Sequence, residues 1–228
     1  MKNQIRAKTF VGWELIAGLL IFTVMTLIVG RLGEEIANGA PLTLTDIKFT
    51  GWLQDHRNRT LTTVLRVATE LGSNWIAFVT AGMLGVYLLR KRRIYWLVAI
   101  WLSVFGGMGL NALLKYAFQR PRPRFDGPIL SFTGYGFPSG HTMAATVLYG
   151  VLAVFLVAQT KHLAARAMVI LSAGLLIAIV GFSRIYLGAH YLSDVLGAIA
   201  EGLAWLSLCL SVIYSVWRHK TQPTRVSE

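Results

Sequence analysis

The chain has 228 residues, of which 55% are hydrophobic and only 14% charged. This composition excludes an ordinary soluble domain and predicts an integral membrane protein. The net charge of +12 comes from basic residues dispersed among the ends of apolar runs, so it does not indicate a nucleic-acid partner. The single cysteine, Cys209, lies within an apolar run and is expected to pack in the core. No linker, repeat or low-complexity tract divides the sequence, and we predict one domain over residues 1–228.

Six apolar stretches predict six transmembrane helices, because a helix needs about 20 apolar residues to cross a hydrocarbon core of roughly 30 Å. The first run follows a basic start, but it is longer than the core of a signal peptide, and we expect an uncleaved helix. The predicted fold is an all-α polytopic bundle. Its spans lie near residues 10–30, 71–89, 94–115, 142–160, 167–183 and 195–217, followed by a short basic tail over 218–228.

A further helix is predicted between the first two spans. The segment "TLTTVLRVATELG" at 60–72 places its apolar residues at helical spacing on one face, with Arg66 and Glu70 off that face. We expect it to lie on the outer surface, either lining an entry for lipid or packing against the bundle.

The loops predict an orientation. On the side of the N-terminus the connecting segments hold 12 basic residues against one acid, Glu228, whereas the other 10 basic residues share their segments with seven acids. Because short cytoplasmic loops carry the excess of lysine and arginine, both termini are predicted to be cytoplasmic.

Three polar segments fall on the opposite, outer side and carry residues suited to phosphate. Arginine matches phosphate oxygens with a planar fork and lysine adds a compact charge, so Lys115, Arg122 and Arg184 can converge on one dianion. Ser139 and Gly140 stand at a predicted helix N-terminus, where backbone N–H groups bind anions. The segments are "KYAFQRPRP" at 115–123, "PSGH" at 138–141 and "SRIYLGAHYLSD" at 183–194.

Two histidines and a carboxylate complete this set. His190 and Asp194 are four residues apart, which on a helix puts them within mutual reach. A carboxylate bonded to one ring nitrogen leaves the other nitrogen free to attack, and His141 is then suited to protonate the leaving oxygen and activate water. The set is a phosphotransfer site that requires no metal or other cofactor. Glu201, inside the last span, is a functional candidate by location, but we expect it to be a satisfied buried carboxyl.

These motifs resemble those of the type 2 phosphatidic acid phosphatase (PAP2) superfamily, which read KxxxxxxRP, PSGH and SRxxxxxHxxxD. All 11 fixed positions match in order, and the six spans resemble the bacterial membrane members of the family. The resemblance implies His190 as a nucleophile that forms phosphohistidine, Asp194 as its orienting group and His141 as general acid and base. The phosphate-binding residues that it implies are Lys115, Arg122, Ser139, Gly140 and Arg184.

The implied activity is metal-independent hydrolysis of lipid phosphates or diphosphates at the outer face of a bacterial-type inner membrane, with the bilayer and the lipid phosphate as partners. Phosphatidylglycerol phosphate, undecaprenyl diphosphate and phosphatidic acid are the implied substrates. Transfer of the phosphoryl group to an acceptor lipid stays open. The related vanadium haloperoxidases are soluble, and an anion or lipid transporter would carry charges along several spans, so both are disfavoured. Arg120 and Arg124 match no fixed position of the motif pattern and are expected to steer or bind lipid headgroups.

Overall fold

A computed structural model describes residues 12–39, 41–124 and 134–221, and within these ranges the chain is helical and contains no strand. The predicted all-α class is therefore confirmed. A π-helical turn, Leu102–Gly106, joins α5 to α6, and a 3-10 turn, Glu70–Gly72, follows α3. The helices are α1 (Trp13–Ala37), α2 (Pro41–Asp55), α3 (Arg59–Thr69), α4 (Asn74–Arg90), α5 (Ile94–Trp101), α6 (Gly107–Phe118), α7 (Gly140–Gln159), α8 (Leu163–Tyr186) and α9 (Leu192–Thr221).

Five of the six predicted spans correspond to single helices of the structure. Among the described residues, five helices are long and apolar enough to cross a membrane: α1, the continuous Ile94–Phe118, α7, α8 and α9. A sixth span results if Arg59–Gly72 and α4, which meet at a bend of 44°, are one broken span. Helices α1 and α9 extend beyond the predicted spans, because charged residues continue the helix past the apolar run. On α1, for example, Arg31 and Glu34 form an exposed ion pair of 3.2 Å.

Helix α7 lies at the centre of the bundle and contributes more buried residues to the main hydrophobic cluster than any other helix, with Ala144, Val147 and Val151 fully buried. Its contact with α9 is close because α9 presents a glycine there: a Cβ built on Gly202 would lie 2.6 Å from Cγ2 of Thr146. Small residues at such a crossing let two membrane helices approach closely. The start of α7 is thereby fixed relative to α9.

Helix α2 was not predicted, yet it holds the connection between α8 and α9 at both ends. Near its C-terminus, Gln54 Nε2 donates to the carbonyl oxygens of Tyr186 at 2.9 Å and Ile185 at 3.4 Å. Nearer its N-terminus, Asp46 Oδ1 accepts from the backbone N–H of Ser193 at 3.0 Å. These bonds satisfy backbone groups at the end of one helix and the start of the next.

The predicted amphipathic segment forms α3 and the 3-10 turn after it, and this turn lies directly against the start of α7. A Cβ built on Gly72 would lie 2.7 Å from the carbonyl oxygen of His141. Only glycine allows so close an approach of two backbones. The segment therefore forms one wall of the region in which the three motifs meet.

Candidate active site

The three motifs meet around one cavity of about 450 Å³. It contains six of the eight residues predicted for the site, together with polar residues from α3, the 3-10 turn and α4. The lining residues are Arg66, Thr69, Glu70, Asn74, Lys115, Arg122, Gly140, His141, Arg184 and His190. Cations from the ends of α6 and α8 and from the loop after α6 thus surround the start of α7.

His190 presents its two ring nitrogens to different partners. Nδ1 lies 3.3 Å from Asp194 Oδ2, and Nε2 lies 3.2 Å from Arg122 Nη1. Because a guanidinium only donates, Nε2 must accept that bond, which assigns the ring proton to Nδ1 and makes it the donor to Asp194. Nε2, the nitrogen on the side of the cavity, therefore carries the lone pair.

Burial in the loop before α9 lowers the pKa of His190 to about 3, a decrease that its bond to Asp194 opposes but does not offset. The ring is therefore neutral at physiological pH, the form in which an imidazole is a nucleophile. Burial also lowers the pKa of the Arg122 guanidinium, which nevertheless stays charged, since arginine is not deprotonated in proteins.

Backbone and hydroxyl oxygens orient the cations of the cavity. Lys115 Nζ donates to Tyr135 O at 3.1 Å, and Arg184 Nη1 donates to Thr69 Oγ1 at 2.9 Å. Arg122 donates from Nε to Gly134 O at 3.1 Å and from Nη1 to Ala189 O at 3.2 Å. These bonds fix the direction of each cation at the cavity.

Ser139 differs from the other predicted phosphate ligands. It is fully buried behind the cavity lining, where its Oγ accepts from Thr142 Oγ1 at 3.0 Å and its N–H donates to Asp194 O at 3.0 Å. It precedes Gly140, the first residue of α7, and the N–H groups of such a first turn have no partner within the helix. The backbone at Gly140 therefore remains suited to an anion, and the predicted role of the Ser139 hydroxyl in binding phosphate stays a prediction.

Asp194 has a second partner, Arg120, for which the sequence predicted a different role. Arg120 is buried, with Nη1 at 2.5 Å from Asp194 Oδ1 and Nη2 at 2.9 Å from Asp46 Oδ2. The prediction that Arg120 steers or binds lipid headgroups is therefore wrong, because its guanidinium is enclosed by two carboxylates. Arg124 is exposed, and its predicted role stays a prediction.

Glu201 is buried behind the site, as expected of an intramembrane carboxyl, but only one of its oxygens is paired. Oε2 accepts from Asn111 Nδ2 at 2.9 Å, whereas Oε1 has no hydrogen-bond partner within the described ranges. The expectation of a fully satisfied carboxyl is thus half correct. Across those ranges there is also no group of three or more His, Cys, Asp and Glu residues that could hold a metal ion.

The bundle and its cavity define a class of protein: a polytopic membrane protein in which helix ends assemble cations around a histidine–aspartate pair. The sequence profile of the PAP2 superfamily matches residues 95–218, more than half of the chain. The chain therefore belongs to the PAP2 superfamily, as the motifs predicted.

Its relatives are phosphatases of lipids. The chain is 38% identical over 150 residues to phosphatidylglycerophosphatase B of Bacillus subtilis (strain 168), covering 63% of this chain and 70% of that protein. It is 33% identical over 177 residues to dolichyldiphosphatase 1 of Plecturocebus moloch, covering 68% and 72%. The crystal structure of a transmembrane PAP2-type phosphatidylglycerolphosphate phosphatase from Bacillus subtilis matches with a TM-score of 0.72 at 28% identity, covering 94% of this chain and 100% of that one. The protein is thus an enzyme of the lipid phosphatase class.

Proposed function

We propose that this lipid phosphatase hydrolyses phosphomonoester or diphosphate groups of membrane lipids through a phosphohistidine on His190, without a metal ion. The observation that carries the proposal is the placement of His190, whose protonated Nδ1 faces Asp194 while Nε2 faces the cavity beside Arg122. An oriented, neutral imidazole next to cations is arranged for attack on phosphorus.

The reaction proceeds in two displacements. In the first, the lone pair of His190 Nε2 forms a bond to phosphorus as the bond from phosphorus to the lipid oxygen breaks, and that oxygen takes a proton from His141. In the second, His141 removes a proton from water, the water oxygen attacks phosphorus, and the phosphorus–nitrogen bond breaks to release inorganic phosphate. Asp194 holds the Nδ1 proton throughout, and so stabilises the positive ring that exists while Nε2 is phosphorylated.

The equatorial oxygens of the transferring phosphoryl group need positive charge around them, because phosphoryl transfer is catalysed mainly by positioning and electrostatics. Lys115, Arg122 and Arg184 line one cavity and supply three cations. The backbone at Gly140 adds N–H donors at the start of α7. We propose that Ser139 joins this cradle through its hydroxyl proton, since its oxygen already accepts from Thr142.

The candidate substrates are phosphatidylglycerol phosphate, undecaprenyl diphosphate and phosphatidic acid. Similarity to a phosphatidylglycerophosphatase supports the first, and similarity to a dolichyldiphosphatase, which acts on another polyprenyl diphosphate, supports the second. The lining of the cavity is charged and polar, so it recognises the phosphate group while the bilayer supplies the tail. One site of this kind accepts several lipids.

We propose that the cavity opens to the outer side of a bacterial-type inner membrane and that both termini are cytoplasmic, because the basic excess lies on the opposite side. Single cysteines that replace the exposed residues Lys91 and Asp55 in a Cys209→Ala background test this orientation. An impermeant maleimide added to intact cells should label only the Asp55 position. Labelling of the Lys91 position alone would place the site on the cytoplasmic side.

The activity is tested by phosphate release from purified protein with each candidate lipid, with and without an acceptor lipid. With ³²P-labelled substrate, the quenched parent enzyme should carry label that is stable to base and labile to acid, and His190→Ala should carry none. Turnover should persist in saturating EDTA, and vanadate should inhibit competitively as a five-coordinate mimic of the transition state. Loss of turnover in EDTA with recovery in Mg²⁺ would contradict the mechanism, and label appearing in the acceptor lipid would identify a phosphotransferase.

A further inference from the structure

A cluster of buried charges lies behind the His190–Asp194 pair, and two of its members, Asp46 and Arg120, occupy no fixed position of the three motifs. Arg120 Nη1 donates to Asp194 Oδ1 at 2.5 Å and to Ser193 Oγ at 2.7 Å, and Nη2 donates to Asp46 Oδ2 at 2.9 Å. Asp46 accepts in turn from the N–H of Ser193 at 3.0 Å and from its hydroxyl. The cluster therefore joins helix α2 directly to the start of α9.

The charges of this cluster are buried, so their interactions with one another are strong. The side chains of Asp194, Asp46 and Arg120 are exposed by 0%, 1% and 4%, so water does not screen them. The Arg120 guanidinium also lies over the ring of Tyr191, 4.5 Å from the ring centroid. Buried charges are tolerated when they are paired and hydrogen-bonded, and loss of one partner leaves another without compensation.

Arg120 fixes the carboxylate of Asp194 in one orientation. It occupies Oδ1, which leaves Oδ2 to accept from His190 Nδ1 at 3.3 Å and from the N–H of Tyr191 at 3.0 Å. A carboxylate held at both oxygens cannot rotate away from the ring. The direction of His190 Nε2 into the cavity is therefore determined by groups that lie on the far side of Asp194.

Asp46 decides how much negative charge His190 faces. One guanidinium between two carboxylates leaves a net charge of −1 on the trio, whereas the same guanidinium on Asp194 alone would leave a net charge of zero. The second carboxylate thereby preserves the field that stabilises a positive imidazole ring while Arg120 still holds Asp194 in place.

We propose that Asp46, on helix α2, is a positioning residue for the nucleophile and acts through Arg120 on Asp194 and His190. This inference rests on the proposed function, because the step that it accelerates is formation of the phosphorus–nitrogen bond at Nε2 with departure of the lipid oxygen. Neither Asp46 nor Arg120 lines the cavity, so the effect is expected on the chemical step and not on the affinity for lipid phosphate.

The test is Asp46→Asn, which keeps the size of the side chain and an oxygen for Ser193 N–H but removes the charge. Asp55→Asn, the same exchange at an exposed position of the same helix, is the matched control. The enzyme is mixed in excess with ³²P-labelled lipid phosphate and quenched over time. The rate constant of labelling reports positioning, while the amplitude reports the folded fraction, so a purely structural role would lower only the amplitude.

We expect Asp46→Asn to lower the rate constant roughly 10- to 100-fold, the range found when a partner that orients an active-site ligand is removed. KM should stay within about twofold of the parent, and Asp55→Asn should match the parent in both quantities. An unchanged rate constant in Asp46→Asn would overturn the inference. Absence of label from the parent enzyme would instead overturn the proposed function and this inference with it.

A double-mutant cycle tests the route through Arg120. If Asp46 acts through Arg120, adding Asp46→Asn to Arg120→Met should slow labelling no further, because the connection is already lost. Independent, multiplicative effects would overturn the inference. If Arg120→Met does not fold, Arg120→Lys is used, since one ammonium cannot bridge both carboxylates as the planar fork does. Ser193→Ala, which removes only the hydroxyl shared by Asp46 and Arg120, should slow labelling about threefold, and an unchanged rate constant would count against the network.

Discussion

Replacement of Asp194 by asparagine removes one negative charge from the site. It also places an NH₂ group where the carboxylate accepts hydrogen bonds. Oδ1 accepts from Arg120 at 2.5 Å, and Oδ2 accepts from His190 Nδ1 at 3.3 Å and Tyr191 N–H at 3.0 Å. An amide has one oxygen and one NH₂ group. Whichever way it is placed, its NH₂ faces either Arg120 or the other two donors.

The size of the effect follows from the contacts that are lost. The bond to Arg120 is charge-assisted, and the bond to His190 becomes so when the ring is phosphorylated; such bonds contribute about 1.5–3 kcal/mol each. The amide opposes one of these two donors, and loss of one such contribution, about 1.5–3 kcal/mol, corresponds to a decrease in kcat of about 10- to 10²-fold. If the NH₂ turns toward His190, Nδ1 becomes the acceptor and the ring proton moves to Nε2, which can then no longer attack.

The assay is steady-state release of phosphate from a lipid monophosphate in detergent micelles, with Asp55→Asn as control and thermal unfolding as the measure of folding. Asp194→Asn should lose stability as well, because Asp46 is then the only carboxylate that still pairs with Arg120. A folded Asp194→Asn enzyme whose kcat lies within about fivefold of the parent would refute the argument that Asp194 sets the tautomer of His190.

Three further outcomes follow from single contacts. Arg184→Lys should lower kcat/KM about 100-fold, since one ammonium cannot bond Thr69 Oγ1 and still contact phosphate in two places; near-parental kinetics would show a point charge suffices. Because burial lowers the pKa of His190 to about 3, its ¹⁵N resonances should keep the neutral form from about pH 5 to 8, and a midpoint near 6.5 would contradict this. Gly202→Ala should lower the unfolding temperature, as its Cβ meets Thr146 Cγ2 at 2.6 Å, while Gly30→Ala, with open space, should not; equal effects would exclude a steric cause.

The parts of the fold that the sequence predicted are those set by local chemistry. The length of an apolar run is a property of consecutive residues, so the spans and the all-α class could be predicted. The helix at 59–69 followed equally from the spacing of its apolar side chains. The bend of 44° between this segment and α4 could not be predicted in this way, because the residues near the bend pack against a distant part of the chain, as Gly72 does against His141.

The candidate site divides in the same way. Lys115, Arg122 and Arg184 could be chosen from residue type and from their places at the ends of apolar runs, and the cavity brings them together. Arg120 has the same residue type and lies two residues before Arg122, but it points into the protein. Its partner Asp46 is 74 residues away along the chain, a separation at which a local pattern carries no information.

The contacts of helix α2 behind the site could not be predicted from the sequence. Its interactions with the catalytic loop join residues 131 to 147 positions apart, from Gln54 to Ile185 and from Asp46 to Ser193. The helix is also mixed in character, with exposed Leu44 and Trp52 beside buried Asp46, so neither a transmembrane nor an amphipathic pattern stands out. The role that we propose for α2 therefore rests on its contacts in the structure and not on its sequence.

The hydrogen-bond acceptors distinguish Arg120 from the other basic residues of the site. Lys115 and Arg122 bond to backbone carbonyls, and Arg184 bonds to a threonine hydroxyl. Arg120, in contrast, bonds to the two carboxylates Asp46 and Asp194. The two carboxylates commit the charge of Arg120 to the protein, whereas Lys115, Arg122 and Arg184 line the cavity. Four basic residues of similar sequence context therefore separate into three at the cavity, which we propose as phosphate ligands, and one that holds Asp194 from behind.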